Sequence, residues 1–274
     1  MELSGFNRQI NNGIIYFTIS SFTETGLVVH GFSGRQGGVS PDRFASLNLS
    51  IHTEDKLKNV LENRTRFVKV LGLSLDNLVG AHQIHGDRVF KVTASDQGRG
   101  SRDGCNVIPD TDALMTDEKG LALIAFFADC VPVFFLDPEH KAIALAHAGW
   151  KGTVAKIVTK TVQAMQEAYG TDPARLLAAV GPSIGPCHYE VDDLVINKVK
   201  EAFPGYENEL LSCQGNPGHA NFNLWQANVI QLKMLGIPEE NITVAGLCTY
   251  CEQGLFFSHR AGMAGRQAAL LMLK

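Results

Sequence analysis

Along this chain, short runs of β-branched and aromatic residues alternate with longer stretches whose apolar positions recur every three to four residues. The short runs predict strands over residues 14–19, 27–32, 89–92, 121–127, 133–136, 142–146, 177–180, 242–245 and 255–257. The longer spacing predicts helices over 57–71, 154–169, 194–202, 224–235 and 265–273. Thr153 precedes the second helix as an N-cap, and Gly170 follows it as a stop. Residues 96–110, rich in Gly, Asp and Arg, predict a long surface loop. Strands and helices alternate irregularly, which fits an α/β fold of the mixed-sheet α+β kind better than a regular βαβ winding. No repeat or low-complexity tract divides the sequence. Residues 1–274 are therefore expected to form a single compact domain, with mixed sheets flanked by helices.

Composition narrows the class. With 274 residues, 45% hydrophobic and 19% charged, the chain can bury a full core without a disulfide frame. A net charge of −4 and mixed signs argue against a nucleic-acid sheath or a membrane-surface protein. The longest apolar run, residues 121–128, is far short of the ~20 residues a membrane helix needs. The first residues lack a basic stretch followed by an apolar one, so no secretory signal is expected. Six cysteines in such a chain are expected as free thiols in the cytoplasm.

No Walker loop, dinucleotide-binding glycine fingerprint, GxSxG elbow or HExxH helix is present. Instead His, Cys, Asp and Gly gather at predicted strand ends, in Gln83-Ile84-His85-Gly86-Asp87, Ala128-Asp129-Cys130 and Ala146-His147-Ala148-Gly149-Trp150. The last two flank a predicted hairpin turned by Asp137-Pro138-Glu139-His140. Pairing Leu136 with Lys141 places Cys130 opposite His147, close enough for a thiolate and an imidazole to share one zinc ion. Taken singly, Cys130 also reads as a small buried hydrophobe, and His85 or His147 as a satisfied polar residue. Cys248-Thr249-Tyr250-Cys251 has zinc-ribbon spacing but no second C-x-x-C, so half-buried thiols are expected there. His188-Tyr189-Glu190 matches half of a nucleobase-deaminase signature, but Leu247 stands where the other half needs proline. Gly149-Trp150-Lys151-Gly152-Thr153 opens a helix whose free N–H groups favour an anion. Arg35, in a glycine-rich loop, reads as a substrate clamp or as a solvated arginine.

Taken in order, these segments form a larger pattern. His30-Gly31-Phe32-Ser33, Arg35-Gln36-Gly37-Gly38-Val39-Ser40, Ser46-Leu47-Asn48-Leu49 and Glu62-Asn63-Arg64 come first. Gln83-Ile84-His85-Gly86, Asp112-Ala113-Leu114, Ala128-Asp129-Cys130 and His147-Ala148-Gly149-Trp150 follow. Gly181-Pro182-Ser183-Ile184-Gly185 and Phe257-Ser258-His259-Arg260 close the series. From about His30 to Gln267 the chain closely resembles the YfiH-type family, labelled multicopper polyphenol oxidase or laccase domain proteins and read as purine nucleoside phosphorylases with adenosine deaminase activity.

The resemblance implies a zinc triad of His85, Cys130 and His147, with Arg35 and Asn48 lining the substrate site. It implies phosphorolysis of adenosine, inosine, guanosine and methylthioadenosine, plus deamination of adenosine. Expected partners are therefore purine nucleosides and phosphate, with neither nucleic acid nor membrane. The family usually continues Ser-His-Arg with a second Arg and an acidic residue, whereas Ala261 and Gly262 stand here. A multicopper centre needs H-x-H pairs, and none of the nine histidines forms one. Copper could still occupy the His₂Cys set by affinity. Alternatives on the same residues are a hydrolase with Cys130 as nucleophile and His147 as base, a copper-binding oxidoreductase, and a non-catalytic metal- or partner-binding protein.

Overall fold

A computed structural model describes residues 5–212 and 217–274, so Cys213 lies outside the described residues. The chain opens with β1 (Phe6–Asn11), β2 (Ile14–Ile19), a short helix α1 (Ser20–Glu24) and β3 (Val28–Ser33). Helix α2 (Leu57–Val70) precedes β4 (Leu78–Gly80), β5 (Val89–Lys91) and β6 (Ala113–Thr116). Next come β7 (Ala122–Phe127), β8 (Val131–Asp137) and β9 (Ala142–Ala148), then α3 (Trp150–Val154) and α4 (Ile157–Tyr169). Strands β10 (Leu177–Val180) and β11 (Glu190–Asp192) lead to α5 (Asp193–Ala202), α6 (Glu207–Leu210), β12 (Leu211–Ser212) and β13 (His219–Phe222). Helix α7 (Leu224–Met234), β14 (Ile242–Val244) and β15 (Gln267–Leu273) complete the chain.

Two six-stranded sheets, β1-β2-β3-β15-β7-β4 and β14-β10-β8-β9-β6-β5, carry both parallel and antiparallel pairs. A small third sheet, β11-β13-β12, sits apart. The expected mixed α/β fold is thus what the chain adopts. Strands buried on both faces explain the layering. Phe32, Leu123 and Leu271 of the first sheet share a core with Phe134, Leu136, Ile143 and Leu145 of the second. On the far side of the first sheet, Ile124, Leu270 and Met272 pack with Phe67 and Val68 of α2. Beyond the second sheet, Val133, Phe135 and Ala144 pack with α4 and α7 through Val158, Val162, Ala227 and Ile230. Helices therefore cover the outer faces of a two-sheet sandwich.

Four expectations are corrected. Residues 267–273 form strand β15, between β3 and β7, rather than a helix. Both faces of that strand are buried, so its run of Ala, Leu and Met shows no alternation to betray it. Residues 255–257 form no strand, because the buried Gln267 side chain takes the ladder's place: Phe257 N–H donates to its Oε1 (2.8 Å) and its Nε2 donates to the Phe257 carbonyl (3.0 Å). The helix expected from 154 begins at Ile157, since Lys156 takes a left-handed φ of 66° and Thr153 lies inside α3. Gly170 does end it, at φ 75°.

The hairpin turn sits one residue later than expected, with Asp137 paired to Ala142 and Pro132 to His147. Asp137 causes the shift: its Oδ1 accepts the N–H groups of Glu139 and His140, both at 3.0 Å, so the turn starts after it. Cys130 thus stands diagonal to His147, not opposite it.

Candidate metal centre and active-site cleft

Residues 128–130 carry the chain from β7 in the first sheet to β8 in the second. The crossing is sharp because Asp129 adopts a φ of 81°, costly for a residue with a Cβ and sustained by its contacts. Its buried carboxylate accepts the Thr249 hydroxyl and the Arg260 N–H, both at 2.7 Å, and its carbonyl accepts the Ile184 N–H at 2.9 Å. Cys130 is thereby delivered to the end of the sandwich where β9 brings His147. His85 arrives from the loop after β4, itself left-handed at φ 61°. Gln83 ties that loop to β7 with two bonds to the Phe126 backbone (2.8 and 2.9 Å).

Asp112 organises the rest. Its carboxylate accepts the N–H groups of Ile84 (3.2 Å), His85 (3.0 Å) and Gly86 (2.7 Å), and lies 2.8 Å from His147 Nδ1. That contact fixes the imidazole ring and turns its other nitrogen toward Cys130, where a cation would be met, the usual support of a metal-binding histidine. One donor atom each from His85, Cys130 and His147 lies within 4.8 Å of the others. The two imidazoles meet edge-on, with ring centroids 4.8 Å apart.

Gly149 makes room for this cluster. A Cβ there would come within 2.9 Å of His85 Cδ2 and 3.0 Å of Cys130 Sγ. Among the described residues these three nitrogen and sulfur donors have no fourth, and, steadied by a carboxylate and cradled by a glycine, they could hold a metal ion with a position left open.

The electrostatics agree with anionic sulfur. Burial opposes the Cys130 thiolate, yet His147 and His85 bring its pKa down to about 6. Burial likewise opposes a charged His147, but Cys130 and Asp112 raise its pKa to about 9. Asp112 is held below the usual carboxylate range, with the His147 bond and the loop amides outweighing its burial.

The triad opens onto a cleft of about 530 Å³. Phe126, Trp150 and Tyr189 give it aromatic walls, while Lys151, His259, Arg260 and Arg266 face it with positive or protonatable groups. Tyr189 is buried enough that its phenol stays neutral, and Arg260 stacks over its ring at 5.5 Å.

Arg35 and Asn48 are not among the side chains lining the cleft. The Arg35 guanidinium donates to the carbonyls of Ala45 (2.7 and 2.9 Å) and Gln253 (2.8 Å). Asn48 is fully buried and accepts the Arg266 N–H at 3.0 Å. Asn48 thereby holds the backbone of a residue that lines the cleft, and Arg35 ties the loops at Ala45 and Gln253 together. His52, His82 and Arg266 also line the cleft; they stand just outside the motifs ending at Leu49, starting at Gln83 and ending at Arg260, and come together only in the fold.

The model of the multi-copper polyphenol oxidoreductase laccase family matches residues 29–274. The chain belongs to this family. Among relatives of this laccase-family chain, "Purine nucleoside phosphorylase YlmD" of Geobacillus stearothermophilus is 40% identical over 245 residues, 89% of each chain. "Adenosine deaminase RL5", from an unknown prokaryotic organism, is 33% identical, over 85% of this chain and 88% of its own. The solved structure of the G. stearothermophilus YlmD superposes with a TM-score of 0.92 at 37% identity, covering 99% of both chains. That of the Bacillus licheniformis hypothetical protein YfiH gives 0.92 at 36% identity, covering 98% of this chain and 99% of its own. The YfiH-type resemblance expected from the motifs therefore holds. No helix among the described residues is long and apolar enough to cross a membrane.

Proposed function

We propose that this chain is a zinc-dependent purine nucleoside phosphorylase that also deaminates adenosine, working in the cytoplasm. The observation that carries the reading is the convergence of His85, Cys130 and His147, anchored by Asp112, at the floor of a cleft with aromatic and cationic walls. The names of its relatives point the same way. Adenosine, inosine, guanosine and methylthioadenosine are the proposed substrates.

His85, Cys130 and His147 would hold the zinc. When bound, it would supply a Lewis acid that polarises oxygen and lowers the pKa of water. The protein's own groups do the positioning. Phe126, Trp150 and Tyr189 offer faces for the purine, and desolvated aromatic contacts of this kind suit a flat heterocycle. Lys151, Arg260 and Arg266 offer positive charge for the phosphate that attacks C1′ of the ribose, which is positioning and electrostatics. Burial lowers the pKa of Arg266, but arginine stays charged far above neutrality. Arg35 and Asn48 contribute to substrate binding through the loops they hold, Asn48 by fixing the backbone of Arg266. Copper remains an acceptable occupant of the same three donors.

A second reading follows from the Cys130–His147 pairing, which favours a thiolate beside an imidazolium. A cysteine hydrolase would use that pair as nucleophile and base.

The test is product analysis with metal-quantified protein. Adenosine with phosphate should give adenine and ribose-1-phosphate, and adenosine alone should give inosine. Neither product from fully zinc-loaded protein would overturn the assignment.

A further inference from the structure

A second group of metal-ligating side chains stands apart from the triad, on the segment leading into β11 and the turn after β14. Cys187, His188, Cys248 and Cys251 each offer a donor atom, all within 4.8 Å of one another. Cys187 Sγ lies 3.7 Å from Cys251 Sγ, and His188 Nδ1 lies 3.2 and 3.3 Å from the same two sulfurs. Bonds of about 2.3 Å to sulfur and 2.0–2.1 Å to nitrogen give a tetrahedral ion S···S edges of about 3.8 Å and S···N edges of about 3.5 Å. The observed spacing is close to both. It is far from the ~2.0 Å of a disulfide.

Local structure serves this spacing. Ser183 and Cys248 form a parallel bridge, and the N–H of Thr249 donates to the Ser183 carbonyl at 3.0 Å. The Gly185 N–H donates to Cys248 Sγ at 3.2 Å, an arrangement that favours sulfur as an anionic ligand. A Cβ at Gly185 would meet the Trp225 ring at 2.9 Å and Cys248 Cβ at 3.1 Å, so that approach depends on glycine. His188 stacks on Tyr250, with ring centroids 4.2 Å apart and an angle of 20°, which sets the direction of Nδ1.

We propose that Cys187, His188, Cys248 and Cys251 form a second metal centre, a closed Cys₃His site for a zinc-class divalent cation. Four protein donors leave no open position, so the site is structural, unlike the three-donor set of the cleft. Its position gives the ion a purpose. It clamps together two segments with no helix or long strand to hold them, one lining the cleft and the other supporting it. Next to His188 lies Tyr189 in the cleft wall, and between the two cysteines of the turn lies Thr249, whose hydroxyl holds Asp129 beside Cys130. Zinc here steadies the active-site crossing from behind. Instead of the half-buried thiols expected, Cys248 is buried and Cys251 exposed, and Cys187 and His188, some sixty residues away, complete the set.

The test counts metal in the full-length protein purified without chelator and with thiols kept reduced. Wild type should carry about two zinc equivalents per chain, and Cys251→Ser and Cys130→Ala about one each. Cobalt substitution of Cys130→Ala should still give the intense absorption of a tetrahedral thiolate site, and the double variant Cys130→Ala/Cys251→Ser should lose it. Should Cys251→Ser fail to fold, zinc-edge anomalous scattering from wild-type crystals decides the matter by a peak among these four residues. The proposal is overturned if wild type holds one equivalent that Cys130→Ala removes entirely. It is also overturned if reduced protein loaded with zinc shows no peak there, or if mass spectrometry finds Cys187 and Cys251 joined as a disulfide in freshly prepared protein.

Discussion

At the scale of single residues, Cys130 separates the two chemistries its surroundings allow. As a metal ligand, Cys130→Ala should release the cleft ion together with activity, and His85→Ala should do the same from a different element. As a free nucleophile, Cys130→Ala should abolish turnover while metal content stays at the wild-type value. Alkylation gives an independent readout. A bare thiolate with its pKa near 6 should label readily at neutral pH, whereas a coordinated one should label only after chelation. Rapid labelling of untreated, metal-loaded protein at Cys130 would rule out the metal role. Asp112 shows why residue type alone was insufficient to read here. The sequence offers an Asp in a short motif, and only the fold reveals one carboxylate serving three loop amides and the ring of His147.

At the scale of elements, the turn from β9 into α3 is the most exacting piece of the site. Gly149 has an ordinary φ of −68°, so any residue could adopt its backbone conformation. What excludes a side chain is space, because a Cβ would press against both His85 and Cys130. Gly149→Ala should therefore fold with a melting temperature close to wild type while losing cleft metal affinity by about 10–100-fold, as happens when ligand geometry is disturbed. Unchanged metal affinity in a folded Gly149→Ala protein would show that the cluster has slack the geometry denies. The β8–β9 hairpin teaches a related point about register. Sliding the turn by one residue leaves Cys130 and His147 on the same sheet face, because opposite positions change by two. The two side chains can meet under either register for that reason.

At the scale of the whole molecule, pH should act through the core as well as the cleft. His30 in β3 is buried, and its Nε2 accepts the Ile19 N–H at 2.7 Å, joining β3 to the end of β2. Burial, with the positive charge of Lys274 adding to it, lowers its pKa to about 4 from the ordinary 6.5. The unfolded chain thus binds the proton more readily. Stability from neutral His30 is fully present above pH 6.5 and is lost as pH falls toward 4, by roughly 3 kcal/mol in total. Melting temperature measured from pH 7 down to 4.5 should fall less steeply in His30→Gln, which can keep an acceptor without titrating. Parallel curves for the two proteins would remove His30 as the source.

Local pattern sufficed for the class of fold, most strands and the main helices. Runs of β-branched and aromatic residues mark strands such as β7 and β8 even where both faces are buried, and helical spacing survives on half-buried helices. Strand 14–19, strand 177–180 and the helix from Leu57 all emerge with nearly the predicted bounds. Ordered motifs also singled out His85, Cys130 and His147 before any geometry. The rest depends on contacts made across the fold. A segment buried on both faces, such as β15, carries no period, so its neighbours β3 and β7 choose its conformation. Burial made Gln267 a substitute for a missing ladder, and loop packing turned Arg35 and Asn48 toward backbone and neighbouring polar groups. The four donors Cys187, His188, Cys248 and Cys251 belong to segments that meet only through a long-range bridge, and local sequence cannot encode a distance across sixty residues of intervening fold.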